Sequence, residues 1–243
     1  MRTLALTLVL LVAAPVAAAA DGAPWMGGGA VVTELEATAG AFSSSVAGRP
    51  VTVVCNAPED WVSLAEQARF DAAEVWGYVL FFSDAPGDYT NLSSPACTYL
   101  QAFARAADKR SVTVRCRTGT RIVFRASGQR RATPVYGECP DYGLVLGAVA
   151  TLAHESVHLR GFRDEGVTEC YALQLLAGAA RWLGAGDTLA RRMATDYWQR
   201  IYRTQAAGSE YFRADCVDGS AVDLSPGSQS WPAGTGALVL PAP

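Results

Sequence analysis

The chain has 243 residues, and its 20 Lys and Arg against 23 Asp and Glu give a formal net charge of −3. That length buries a substantial core without help from a partner, and the mildly acidic balance argues against a nucleic-acid binder. Lys109 is the only lysine among the 20 basic residues, and alanine is abundant, a composition that points to a high-GC bacterial source. Arg2, the apolar run 4–12 and the small residues 16–20 have the layout of a secretory signal peptide over residues 1–20, cleaved ahead of Asp21. The apolar core is shorter than the roughly 20 residues a membrane span needs. We therefore expect a secreted or cell-envelope protein, without stable membrane insertion, monomeric, and roughly 220 residues long after cleavage.

Residues 21–50 are rich in Gly, Ala and Ser and read as a flexible N-terminal segment with a short strand at 30–33. A domain is expected over 51–217. Residues 51–55 read as a strand, residues 59–74 as a helix with Trp61, Leu64, Ala65, Ala68 and Ala72 on one stripe, and residues 75–82 either extend that helix or form a strand. Ser93 and Pro95 start a helix over 96–107. Residues 111–126, rich in Val, Thr, Ile and Phe, read as a hairpin turning at Thr118-Gly119. The seven arginines between Arg110 and Arg131 alternate with apolar residues there, as on a solvated strand face. Residues 141–159 are apolar on most faces, the pattern of a buried helix. Asp164 caps a second helix over 165–183, and a third spans 187–205. Residues 218–243 are Gly/Pro/Ser-rich and read as a tail that hugs the surface or hangs loose.

The buried helix carries His154, Glu155, Ser156, Val157 and His158, and these are the two histidines of the whole chain. Four residues apart on a helix, both imidazoles project from one face and can bind one ion. Glu155 then stands beside the ion's open position, where a carboxylate takes the proton of a metal-bound water. Histidines set in an otherwise apolar helix argue against an accidental motif, because unpaired polar groups are costly there. Catalytic zinc takes three protein ligands, and the sequence that follows offers Asp164, Glu165 and Glu169.

The stretch 151–172 resembles the gluzincin group of zinc metallopeptidases, in which the HExxH motif is followed by a glutamate ligand on the next helix. The resemblance implies Zn²⁺, a helix-dominated α+β zincin-like domain with a minor sheet and an antiparallel ligand helix, and hydrolysis of a peptide or protein substrate. Carried over, His154, His158 and Glu165 bind the metal, Glu155 activates water, and Glu169 supports a ligand histidine. The loop between the helices is shorter than in thermolysin-like enzymes, which leaves Glu169 open as an alternative ligand. A metzincin-like reading of His154-Glu155-x-x-His158-x-x-Gly161-x-x-Asp164 makes Asp164 the third ligand, yet the one downstream methionine, Met193, sits in a helical run where that group has a turn.

Donors for a developing oxyanion are sought among Tyr171, Arg160, Arg163, Tyr197 and Tyr202, while Trp61, Trp76, Trp182 and Trp198 read as core. Asn91-Leu92-Ser93 fits a glycosylation acceptor without a role in a bacterial chain. Cys55, Cys97, Cys116, Cys139, Cys170 and Cys216 favour disulfides in an exported protein. Of the 15 possible connectivities, pairing Cys170 with Cys216 is preferred, because it ties the C-terminal segment to the helix beside the motif. Two other functions stay open: a catalytically silent zincin whose metal has four protein ligands and serves a binding role at the cell surface, and a disulfide-stabilised surface protein whose motif is accidental.

Overall fold

The computed structural model describes residues 33–82, 85–106, 108–109, 113–124, 130–140, 142–234 and 240–243. The signal segment and the first three residues of the strand expected at 30–33 lie outside them, as do the side chains of Cys116 and Cys139. In chain order the elements are α1 (Glu34–Ala47), β1 (Thr52–Cys55), α2 (Pro58–Ala68), β2 (Gly77–Phe82), β3 (Ala85–Leu92), α3 (Ser94–Arg105), β4 (Thr113–Phe124), β5 (Arg130–Pro140), α4 (Tyr142–Arg160), α5 (Glu165–Trp182) and α6 (Asp187–Arg200). The protein is helix-dominated with a small mixed sheet of order β1-β3-β2, in which β1 runs parallel and β2 antiparallel to β3.

Helix α4 organises the rest. It is apolar around its circumference and so needs cover on every side. The cover comes from α1, α3, α5 and the strands β2 and β3, while α6 packs on α5 and touches α4 as well, where Tyr142 donates to Asp196 at 2.9 Å. Leu146, Val149, Leu152, Val157 and Leu159 are at most 2% exposed, and each stabilises the fold by about 1.5–3 kcal/mol relative to an exposed side chain. Ser156, the polar middle residue of the motif, is accounted for structurally. Its hydroxyl donates to Leu152 O at 2.6 Å and meets Ser43 Oγ of α1 at 2.8 Å.

The loose segment expected at 21–50 is corrected from Glu34 onward. Leu35, Ala39, Phe42 and Val46 are buried at helical spacing, and Thr33 and Glu36 form a reciprocal capping box at the start of α1. Glycine and serine richness hid that stripe. Helix α2 ends at Ala68 rather than 74, because Arg69 takes the left-handed conformation (φ 63°) and turns the chain towards β2. The expected turn at Thr118-Gly119 is corrected as well. β4 runs through it, and the ladder to β5 shifts register between Arg117 and Gly119. An extra residue absorbed as a bulge costs less than ending the ladder. The third helix stops at Arg200 and continues as a 3-10 turn over Tyr202–Thr204. Trp182 is 44% exposed rather than core.

The helix-start signals hold. Ser93 caps α3 and Asp164 caps α5, the latter accepting from Val167 N at 2.8 Å. The tail hugs the surface: Val222, Ala233 and Leu240 are buried, and Gln174 of α5 donates to Val222 O at 2.8 Å while accepting from Leu224 N at 2.6 Å. Disulfides join Cys55 to Cys97 and Cys170 to Cys216. The second is the preferred pairing, and it anchors residues 202–217 against α5. Its 46-residue separation implies about 2–4 kcal/mol of stabilisation. Replacing both Cys170 and Cys216 by Ala should lower the free energy of unfolding by that amount, measured by denaturant titration, with α4 still helical by circular dichroism.

Candidate metal centre

Two features of the backbone bring the motif to its neighbours. Gly161, at φ 117°, follows α4 immediately, and its N–H bonds to His158 O at 2.8 Å, so the chain reverses in four residues. A side chain is strained in that region and glycine is not. Helix α5 then runs back along α4, so that its first residue, Glu165, meets both histidines and Glu169, one turn on, meets His154 alone.

Three atoms converge. The Nε2 atoms of His154 and His158 lie 3.0 Å apart, and Oε2 of Glu165 lies 2.9 Å from the first and 3.3 Å from the second. The opposite ring nitrogens are each occupied by a group that only accepts. Nδ1 of His154 faces Oε2 of Glu169 at 2.8 Å, and Nδ1 of His158 faces the carbonyl of Phe162 at 2.7 Å. Each Nδ1 therefore carries the hydrogen, and in the neutral rings each Nε2 presents a lone pair to the common point. Two lone pairs and a carboxylate oxygen facing each other repel unless a cation lies among them. His154, His158 and Glu165 thus form a set whose donor atoms all fall within 4.8 Å of one another. Imidazole nitrogens with a carboxylate suit zinc or a similar transition ion rather than magnesium or calcium.

The other two acids are placed elsewhere. Glu169 is buried and holds His154 from behind, while Tyr197 donates its hydroxyl to Glu169 Oε1 at 2.5 Å. Asp164 is an exposed helix cap 3.9 Å from Arg213, outside the cluster. Glu155 is 5% exposed and lies beside the convergent atoms, with Oε2 hydrogen-bonded to none of the described residues. Its approach to β2 depends on Gly77, since a Cβ there would fall 2.5 Å from Glu155 Cγ and 2.6 Å from its Oε1. Burial pushes the Glu155 carboxyl above its ordinary value, against the pull of His158 and His154.

The cluster opens to solvent through two adjoining cavities of about 380 and 520 Å³, which share Val75, Gly77, His154, Glu155 and Tyr211. The larger one is walled by five consecutive residues of β2, 77–81, together with His158 and Glu165. Of the five donors sought by sequence, Tyr197 lines the smaller cavity and Arg163 the larger, where its guanidinium lies 4.8 Å from the ring centre of Phe81. Arg160 reaches Ala47 O and Leu240 O, Tyr202 donates to Arg213 O, and Tyr171 packs 5.1 Å from Phe162. Trp76, expected in the core, stacks on Tyr99 at 5.7 Å and walls the smaller cavity. Asn91 is 1% exposed, which closes it to modification.

Tyr211 is the residue that sequence reasoning missed. Its ring lies 5.9 Å from that of His154, on the segment that the Cys170–Cys216 disulfide anchors. The preferred cysteine pairing was the available signal, because it delivers residues just before Cys216 to the motif. Burial, with nearby Glu165, raises the phenol to about 12, so Tyr211 stays a hydrogen-bond donor at neutral pH.

Comparison with protein-family models, curated proteins and solved structures finds no match for this chain.

Without a metal, a proton is the cation that fills the cluster. Burial alone would lower the His154 pKa, but its hydrogen bonds to Glu165 and Glu169 outweigh this and raise it to about 10. Burial likewise works against ionised Glu165, and the two histidines prevail and hold it near 2. The raised histidine contributes stability that is complete below its ordinary 6.5 and lost as pH rises through about 10. The depressed glutamate contributes above its ordinary 4.5 and loses that towards about 2. Metal-free protein held in chelator should therefore lose stability in both windows, 6.5 to 10 and 4.5 to 2, in denaturant titrations across pH.

Proposed function

We propose that this protein is an exported zinc-dependent peptidase of the zincin type, with His154, His158 and Glu165 as metal ligands and Glu155 as the general base. The observation that carries the reading is the convergence of two Nε2 lone pairs and one carboxylate oxygen, each histidine being fixed from behind by an acceptor. Three donors leave one tetrahedral position for water, the arrangement of catalytic rather than structural zinc. Zinc bound there would lower the pKa of a coordinated water to about 7 and polarise a carbonyl oxygen.

The chain's own groups fit the remaining tasks. Glu155, buried and with Oε2 hydrogen-bonded to none of the described residues, is suited to take a proton from water and return it to the leaving amine. Tyr211 is a protonated donor lining both cavities beside the cluster, suited to a developing oxyanion. Strand β2 borders the sheet and walls the cavity, so an extended peptide can pair with its main chain while crossing the cluster. Export is supported by the Cys55–Cys97 and Cys170–Cys216 disulfides, which persist in oxidising compartments. No helix among the described residues is long and apolar enough to cross a membrane.

The silent alternative needs a fourth protein ligand. Glu169 was its candidate, and both of its oxygens are engaged by His154 Nδ1 and Tyr197, which favours the open site. Purified protein should contain one zinc per chain and cleave a peptide mixture. Glu155→Gln should keep the zinc and lose about 10²–10⁴ in rate, followed by metal analysis and mass spectrometry. Protein that takes up no zinc after gentle purification refutes the proposal, and zinc without cleavage leaves the silent reading in its place.

A further inference from the structure

A single chain of hydrogen bonds crosses three helices. Tyr197 on α6 donates to Oε1 of Glu169 on α5 at 2.5 Å, and Oε2 of that carboxylate accepts from Nδ1 of His154 on α4 at 2.8 Å. The three residues are 8%, 5% and 8% exposed. Among the described residues the Tyr197 hydroxyl bonds only to Glu169.

A buried phenol must place its proton on an acceptor, so whatever stands at position 169 has to turn an accepting oxygen towards Tyr197. A carboxylate meets that demand and still offers a second acceptor to His154. An amide does not, because it has one acceptor and one donor end. With its oxygen claimed by the phenol, its NH₂ group would point at Nδ1 and accept nothing from it. The ring hydrogen would then move to Nε2, the atom that faces the common point. The opposite orientation leaves the phenol proton buried without a partner, which is costly.

We infer that Tyr197 is a positioning residue: by holding Oε1 of Glu169 it keeps Oε2 aimed at Nδ1 of His154, and that carboxylate fixes the tautomer that leaves Nε2 free to bind a metal. The inference rests on the reading of the cluster as a metal site, and it explains why a carboxylate, and no isosteric amide, serves at position 169. Tyr197 does not touch the ion or the reacting atoms. It acts two bonds away, from a helix that contributes no ligand.

The test is zinc affinity of the full chain, measured by competition with a chromophoric chelator, with the metal-free unfolding midpoint of each variant as the folding control. Glu169→Gln should weaken zinc binding about 100-fold and Tyr197→Phe about tenfold, on the scale of outer ligand contacts. The double variant Y197F/E169Q should bind zinc about tenfold more tightly than E169Q, because the amide is then free to turn its oxygen to Nδ1. A residue that only packs the core cannot rescue a neighbour in this way. A double variant that binds no better than E169Q overturns the inference. If E169Q does not fold, the cycle with Glu169→Ala decides: Y197F should add no further loss to E169A, whereas additive losses overturn the inference. Wild-type protein that binds no zinc overturns the metal reading and this inference together. Wild-type binding without rescue or non-additivity overturns this inference alone.

Discussion

The structure turns on the 3.0 Å approach of His154 Nε2 to His158 Nε2, with Glu165 Oε2 against both. Burying two imidazoles with Glu155 and Glu169, and half-burying Glu165 beside them, is unfavourable by several kcal/mol per buried charge unless the charges are paired. Three carboxylates against two rings leave the cluster negative, so it calls for a cation. A single proton meets part of the need, which is why His154 holds its proton to about pH 10 in the metal-free chain. A divalent ion meets more of it and uses the lone pairs that a proton leaves facing one another.

Much of the remaining architecture follows from keeping those lone pairs aimed. Helix α4 supplies both histidines from one face, and the cover that α1, α3, α5 and the sheet provide removes its freedom to move. The four-residue reversal at Gly161 brings Phe162 O to one ring and Glu165 to both. Helix α5 adds Glu169, and α6 secures Glu169 through Tyr197. Gly77 lets β2 close over Glu155, and the Cys170–Cys216 bridge holds the segment that carries Tyr211. Helices α4, α5 and α6 thus meet at the site, each either at an atom that faces the common point or at a partner that orients such an atom.

The sequence made the local part of this legible. A period of 3.6 and the caps Ser93 and Asp164 locate α3, α4 and α5 within a few residues, and the spacing of His154 and His158 defines one helix face. The choice among Asp164, Glu165 and Glu169 was not legible, because all three lie within one turn and a half of α5. What separates them is how the helix is turned against α4, which is a tertiary quantity. Tyr211 was hidden for the same reason, since only the path of the chain from Cys216 back to α5 brings it to His154. Helix α1 was missed for a different one: its buried face uses Ala39, Gly40 and Ser43 among its larger residues, so the apolar stripe is faint in a Gly- and Ser-rich stretch. The β4 bulge shows that a Thr-Gly pair is a weak turn signal beside the pull of a long ladder.

In the proposed site His154, His158 and Glu165 bind one metal ion while Glu169 stands behind His154. Anomalous diffraction at the zinc edge, from crystals grown with zinc, tests this assignment directly. One strong peak is expected within about 2.0–2.2 Å of His154 Nε2, His158 Nε2 and a Glu165 oxygen, with a solvent ligand on the Glu155 side. A peak coordinated by Glu169, or no peak at this cluster, would contradict the assignment.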